Sequence, residues 1–204
     1  MTMSSIELFF DTETSGLPKS KTCHPADTDF PWVVQIAAVL RDEDKVYNSI
    51  ELLIKSDNRT IEDGALKTHN ISTTTCDNYG VSEMSAAIVM REMIKQADLV
   101  VCHNYEFDSQ MFYGMLCRQL NKELAERQYK SLLESNDRGS FCTCVATRDL
   151  LKLPSKKAND YKYPKLTELY KWLFEEDYQG QHTAMGDLTA TAECYYALKR
   201  RQLI

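Results

Sequence analysis

Three short segments carry side chains able to act together in chemistry. Asp11-Thr12-Glu13-Thr14-Ser15-Gly16 closes an apolar run that begins at Ile6. Alternation along a strand points Asp11 and Glu13 the same way. Two carboxylates roughly 5 Å apart, at an effective dielectric near 20, repel by about 3 kcal/mol. A hard divalent cation relieves that cost, because such ions take oxygen ligands. A solvated strand end running into a Thr/Ser/Gly turn fits the hexapeptide as well. The second segment, His103-Asn104-Tyr105-Glu106-Phe107-Asp108, follows a short apolar run and opens a helical pattern. Taken alone, Asp108 reads as a helix N-terminal acid favoured by the dipole, Asn104 as a turn residue and Phe107 as a core anchor. The third, His182-Thr183-Ala184-Met185-Gly186-Asp187, is preceded by Gly180 and puts a histidine five residues before an aspartate at a helix start.

These segments must be positioned by a scaffold, and the chain is long enough to build one. At 204 residues a single domain spanning 1–204 is expected, with a full hydrophobic core. The sequence has 43% apolar and 26% charged residues, ordinary for a globular protein, and no run approaches a membrane span. The N-terminal Met1-Thr2-Met3-Ser4-Ser5 lacks signal-peptide character. The seven cysteines are scattered and odd in number, which favours reduced thiols and a cytoplasmic setting. Cys142-Thr143-Cys144 with Cys23-His24 lacks the spacing of a zinc knuckle, and no zinc site is assigned. The net charge of −6 runs against phosphate binding, although local distribution outweighs the total. Lys152, Lys156, Lys157, Lys162 and Lys165 interleave with Tyr161 and Tyr163, a pattern suited to a nucleic-acid backbone and equally to a solvated loop.

The periodicities predict a strand from Ile6 to Asp11, then a long irregular connection, Leu17 to Pro31, punctuated by Pro18, Pro25 and Pro31. Val33–Leu40 and Val46–Ile54 read as a hairpin about the charged turn Arg41-Asp42-Glu43-Asp44. Ser82 is an N-cap candidate for a helix ending near Gln96, and Asp98–Cys102 reads as a short strand. Helical spacing follows over Asp108–Leu120, within Glu123–Ser140, at the end of Phe141–Leu151, around Leu166–Leu173 and over Met185–Lys199. Early hairpin strands followed by alternating strands and helices predict an α/β domain with a mixed sheet and helices on its faces.

In order and in spacing, the three segments resemble the DEDDh class of 3′–5′ exonucleases, which includes polymerase III epsilon-type proofreading enzymes and RNase T. The resemblance runs from Ile6 to about Leu198, with support from Thr68-His69-Asn70-Ile71-Ser72 and from Lys165-Leu166 before a helix. Ordered motifs are more specific than any one alone. The resemblance implies a ribonuclease H-like fold with a central mixed five-stranded sheet flanked by helices. It implies that Asp11 bridges two Mg²⁺ or Mn²⁺ ions roughly 3.5–4 Å apart. Glu13 and Asp187 would complete one site, Asp108 would hold the second ion, and His182 would be the general base. Glu13, Thr14, Leu17, Asn104 and His182 would contact substrate: Thr14 and Glu13 at the terminal 3′-hydroxyl, Leu17 as a wedge, Asn104 at the sugar. Cys142 departs from the pattern, since many relatives carry an aspartate before the threonine.

The expected function is hydrolysis of phosphodiester bonds from the 3′ ends of single-stranded nucleic acid, releasing nucleoside 5′-monophosphates. DNA is favoured, with a proofreading or repair role; RNA 3′ trimming or degradation of short oligoribonucleotides is the alternative. A non-catalytic binding or scaffold protein of the same fold is a further reading, disfavoured because no acidic ligand is missing. A polymerase or repair partner and a homodimer are open under the resemblance, and no membrane is expected.

Overall fold

The computed structural model describes residues 5–20, 22–134, 139–157 and 160–204. Five strands, β1 (Glu7–Thr14), β2 (Val33–Arg41), β3 (Val46–Leu53), β4 (Leu99–Cys102) and β5 (Gly139–Cys142), form one sheet in the order β3-β2-β1-β4-β5. The pairs β1–β2 and β2–β3 are antiparallel, whereas β1–β4 and β4–β5 are parallel, as expected for a mixed sheet. Eight helices are present among the described residues: α1 (Asp63–His69), α2 (Thr73–Tyr79), α3 (Glu83–Lys95), α4 (Tyr105–Gln119), α5 (Lys122–Leu133), α6 (Thr143–Leu151), α7 (Leu166–Phe174) and α8 (Ala184–Arg200). None of them is long and apolar enough to cross a membrane.

Strand β1 is central, and its alternation divides the core. Leu8 and Phe10 belong to the larger apolar cluster with α3, α4 and α5, whereas Phe9 joins Leu188, Ala192, Tyr195 and Tyr196 of α8 on the opposite face. Phe9 packs edge-on against Tyr195, with ring centroids 5.6 Å apart. The buried Glu7 on that same face accepts from the Tyr196 hydroxyl at 2.9 Å. The odd-numbered residues of β1 therefore face α8 along its length.

The structure corrects two expectations. The first strand does not stop at Asp11: Asp11 pairs with Ala37 and Glu13 with Gln35, and register shifts only between Glu13 and Thr14. A continuous backbone ladder from β2 carries these polar residues inside the sheet, against their low strand propensity. Helices α1 and α2 have no counterpart in the periodicity reading. The β-branched run Thr73-Thr74-Thr75 argues against a helix, yet the Ser72 hydroxyl accepts from the Thr75 amide and starts one. Asn70 ends α1 in the left-handed region at φ 57°, where asparagine is favoured.

A buried charge cluster fastens the segment that follows β1. Glu83, 2% exposed, receives hydrogen bonds from Arg59, Arg118 and Gln119. The Arg59 guanidinium lies 4.8 Å above the Trp32 ring, and the Trp32 backbone amide donates to the Ser15 hydroxyl at 3.0 Å. Glu83 thus reaches the end of β1 through three contacts. Breaking a fully buried pair costs about 3–5 kcal/mol, and the partly exposed arginines reduce that here. Glu83→Gln should cost about 2 kcal/mol in urea unfolding; an unchanged midpoint would show that the cluster is not structural.

Candidate active site

Asp11 and Glu13 project from the α8 face of β1, and α8 brings Asp187 to them in its first turn. Thr183 caps that helix, its hydroxyl accepting from Gly186 N at 3.1 Å. Carboxylate oxygens of Asp11, Glu13 and Asp187 all lie within 4.8 Å of one another. Like charges at that separation repel by about 3.5 kcal/mol per pair at an effective dielectric near 20. Asp108 arrives from the other face on α4, 3% exposed. Thr12 holds it: the backbone amide and the hydroxyl both donate to Asp108 Oδ1, at 3.1 and 2.8 Å. One strand thus offers two acids to α8 and grips a fourth acid on α4 with the residue between them.

The electrostatics follow from this crowding. Burial, then the charges of Asp108, Asp187 and Glu13, hold the Asp11 carboxyl well above its usual range. Burial and Asp187 raise Glu13 to about 7. Burial raises Asp108 to about 8, against the two Thr12 bonds, which favour its ionised form. Asp187 is raised by burial and partly relieved by the Tyr178 hydroxyl, which donates at 2.7 Å. Among the described residues no lysine or arginine counters the four acids. Crowded carboxyl oxygens with no lysine or arginine among them fit hard divalent cations, whose charge would favour the ionised forms.

His182 stands beside this cluster in a left-handed backbone conformation, φ 66°, two residues after Gly180 at φ 78°. Its side chain is exposed, and its backbone amide and its charge both favour the Asp187 carboxylate. The Thr183 amide and hydroxyl both donate to the Gly180 carbonyl, at 3.2 and 2.9 Å. That carbonyl packs directly on Gly186, where a Cβ would lie 2.0 Å from it. The glycine spacing therefore seats the histidine loop on the helix that carries Asp187.

Apart from His182, the residues expected to contact substrate line cavities. Glu13, Thr14 and Leu17 line a cavity of about 320 Å³, and Leu17 stands 70% exposed. Asn104 is the N-cap of α4 at φ 75°, with its side chain making no cap bond. It lines two further cavities, of about 500 and 520 Å³, the first shared with Phe107. The preceding His103 is not a base but a tie. Its Nδ1 lies 2.9 Å from the Thr143 hydroxyl and its Nε2 3.0 Å from the Pro164 carbonyl, and burial lowers its pKa to about 4. In the basic stretch, Pro154 and Tyr161 form a bridge, Arg148 pairs with Asp160 and stacks over Tyr163, and Lys162 pairs with Glu168. Tyr163 and Lys165 line the 520 Å³ cavity.

Three residues of the site had no role in the sequence reading. Thr12 was legible in principle, since alternation turns it away from its acidic neighbours and toward α4. Tyr178 lies in an irregular segment with no spacing to mark it. His69, within a loop noted only for its resemblance, is buried and shares the 320 Å³ cavity with Glu13. Its Nδ1 accepts from Ile71 N at 3.0 Å, while its buried Nε2 turns toward the Thr14 backbone without completing a hydrogen bond.

Folding raises the pKa of these carboxyls, so the folded chain holds protons that the unfolded chain releases. Stability present below about pH 4 is then lost as pH rises through about 7 and 8, the values for Glu13 and Asp108. Without metal, the thermal midpoint should fall over that window. Asp108→Asn, which keeps an acceptor for Thr12, should raise the midpoint at pH 8 and leave it nearly unchanged at pH 4. Equal midpoints for both proteins at pH 8 would remove the charge crowding. Gly186→Ala should cost about 1–3 kcal/mol by overpacking, read as a lowered urea midpoint; full stability would mean the His182 loop does not rest there.

The exonuclease model of the RNase T family matches residues 8–195. No curated protein matches the sequence. Among solved structures, apo exonuclease I superposes with a TM-score of 0.74 at 18% identity, over 98% of this chain and 44% of that one. The zinc-bound E. coli exonuclease I complex with single-stranded DNA gives 0.76 at 20% identity, over 97% and 41%. E. coli exonuclease I with a dT13 oligonucleotide gives 0.72 at 20% identity, over 97% and 42%. At these identities the likeness is one of fold, and this chain spans less than half the length of each. With the family model covering nearly its whole length, the chain belongs to the RNase T exonuclease family.

Proposed function

We propose that this protein is a divalent-metal-dependent 3′–5′ exonuclease acting on single-stranded nucleic acid, with DNA preferred, and that residues 1–204 form one catalytic domain. The observation that carries the reading is the convergence of Asp11, Glu13 and Asp187 oxygens within 4.8 Å, with Asp108 gripped by Thr12 beside them. These four carboxylates would hold two Mg²⁺ or Mn²⁺ ions. When bound, such ions supply Lewis acidity to the phosphodiester and lower the pKa of water.

The chain's own residues do the rest. His182, exposed next to Asp187, takes the proton from the attacking water and passes it to solvent. Thr12 keeps Asp108 in one orientation, and Tyr178 does the same for Asp187. The backbone around Glu13 and Thr14 receives the terminal 3′-hydroxyl, which sets the polarity of cleavage. Leu17 packs against the terminal base and Asn104 supports the sugar. Hydrolysis of the last phosphodiester releases a nucleoside 5′-monophosphate. The preference for DNA is supported by the oligodeoxynucleotides bound in the exonuclease I structures of the same fold.

A time course on 5′-labelled single-stranded DNA, mismatched duplex, single-stranded RNA and a dinucleotide tests every part of this reading. A ladder shortening from the 3′ end of DNA, abolished by chelation and restored by Mg²⁺ or Mn²⁺, is expected. Faster loss of the RNA or of the dinucleotide would replace the DNA preference with RNA trimming or short-oligomer degradation. His182→Ala should slow hydrolysis by about 10²-fold or more while the metal-induced rise in thermal midpoint persists. An undiminished rate in that variant would remove His182 from the mechanism, and activity in Asp11→Ala would remove the metal assignment.

A further inference from the structure

Helix α1 packs on the turn that ends β1, and a backbone hydrogen bond fastens it there at its N-terminal end. The Glu62 amide donates to the Ser15 carbonyl at 2.8 Å. The Glu62 carboxylate presses on Gly16, where a Cβ would lie 2.5 Å from it. At the other end stands His69, the last residue of the helix, 7% exposed. Asn70, left-handed at φ 57°, turns the chain back so that the Ile71 amide donates to His69 Nδ1 at 3.0 Å. Nδ1 is therefore an acceptor, and burial, which lowers the pKa of this ring, favours its neutral form. The single ring proton then sits on Nε2. That nitrogen is buried, and among the described residues no acceptor completes a hydrogen bond to it. The Thr14 backbone is the group it faces.

Buried polar groups in folded proteins are almost always paired, so an orphaned N–H calls for an explanation. Its surroundings supply one. His69 shares the cavity of about 320 Å³ with Glu13, Thr14, Leu17 and Thr68. Thr14 follows the point where the β1–β2 register shifts. Beyond it the chain is held: the Thr14 hydroxyl donates to the Gly16 carbonyl at 2.8 Å, and the Ser15 amide to the Trp32 carbonyl at 2.9 Å. The contact between Thr14 and His69 is the unfinished one in this wall.

We infer that His69 is a positioning residue for the 3′ end of the substrate, through a hydrogen bond that closes when a terminal nucleoside fills this cavity. A nucleoside touching both walls draws the end of β1 and the C-terminal end of α1 together, and the Nε2–H then donates to the Thr14 carbonyl. The backbone that receives the 3′-hydroxyl is fixed as it comes into use. Pairing the orphaned donor in the complex, and not before, adds to affinity. This inference deepens the exonuclease reading and rests on it.

Thymidine 5′-monophosphate with Mg²⁺ is the probe, since it carries a free 3′-hydroxyl and has no phosphodiester left to cut. His69→Asn keeps an acceptor where Nδ1 stands and loses the Nε2–H, whereas His69→Gln keeps a donor where Nε2 stands. In calorimetry on the full chain, H69N should bind the monophosphate on the order of tenfold more weakly than wild type. H69Q should recover most of that loss. On an oligonucleotide, H69N should raise KM and leave kcat nearly unchanged, the pattern of lost uniform binding. The thermal midpoint of free H69N should stay near that of wild type, because the donor it lacks was unpaired. Affinity in H69N equal to wild type, or equal losses in H69N and H69Q, would overturn the role. NMR of wild-type protein with isotope-labelled histidine should show the His69 Nε2 proton exchanging more slowly once the monophosphate binds. Unchanged exchange would overturn the closing bond, whether or not either variant folds. Wild-type protein that neither binds the monophosphate nor shortens oligonucleotides would overturn the exonuclease reading itself, and the inference with it.

Discussion

Repulsion among like charges is the constraint on which the rest of the structure depends. Four carboxyls occupy one end of a central strand, and every nearby feature holds them there against their preference to separate. The sheet fixes Asp11 and Glu13 through backbone bonds that their side chains cannot disturb. Thr12 and Tyr178 then use neutral hydroxyls to aim Asp108 and Asp187. Neutral donors orient a carboxylate without cancelling its charge, as an arginine would. The negative potential therefore stays available to a cation, and the strain of assembling it is carried by the apolar packing of α4 and α8 on opposite faces of β1.

Much of this was legible in the sequence because it obeys simple periods. Alternation places Asp11 with Glu13, the apolar runs mark β2, β3 and β4, and Ser82 acts as a cap in the manner its residue type suggests. Asp187 falls in the first turn of α8 as its spacing indicates. What escaped was set by partners distant in sequence. The polar tail of β1 is a strand only because β2 lies beside it, and α2 begins at a threonine run only because Ser72 caps it. Tyr178 reaches Asp187 from an irregular segment, where no period exists to read.

The histidines show the same limit in another form. Three of them, His69, His103 and His182, sit in or beside the site, and residue type alone does not separate their roles. His103 is half-buried and engaged at both nitrogens, so it ties β4 to α6 and to the turn before α7. His69 is buried beneath the cavity that holds Thr14 and Leu17. Of the three, His182 alone is exposed beside the acids, and its proposed role as base rests on that setting.

The central position of β1 has a consequence for how the molecule comes apart. Over Glu7–Phe9 its backbone is paired with β2 on one side and β4 on the other, and Asp11 and Glu13 are paired with β2, so exposing them to exchange requires parting β1 from β2. The His182 loop is held by a few hydrogen bonds to Gly180 and Thr183 at the protein surface. Base and acids thus belong to different layers of a stability hierarchy. Under the proposed function, local, low-energy unfolding would remove the base while leaving the four carboxylates assembled, a state able to gather metal and unable to cut.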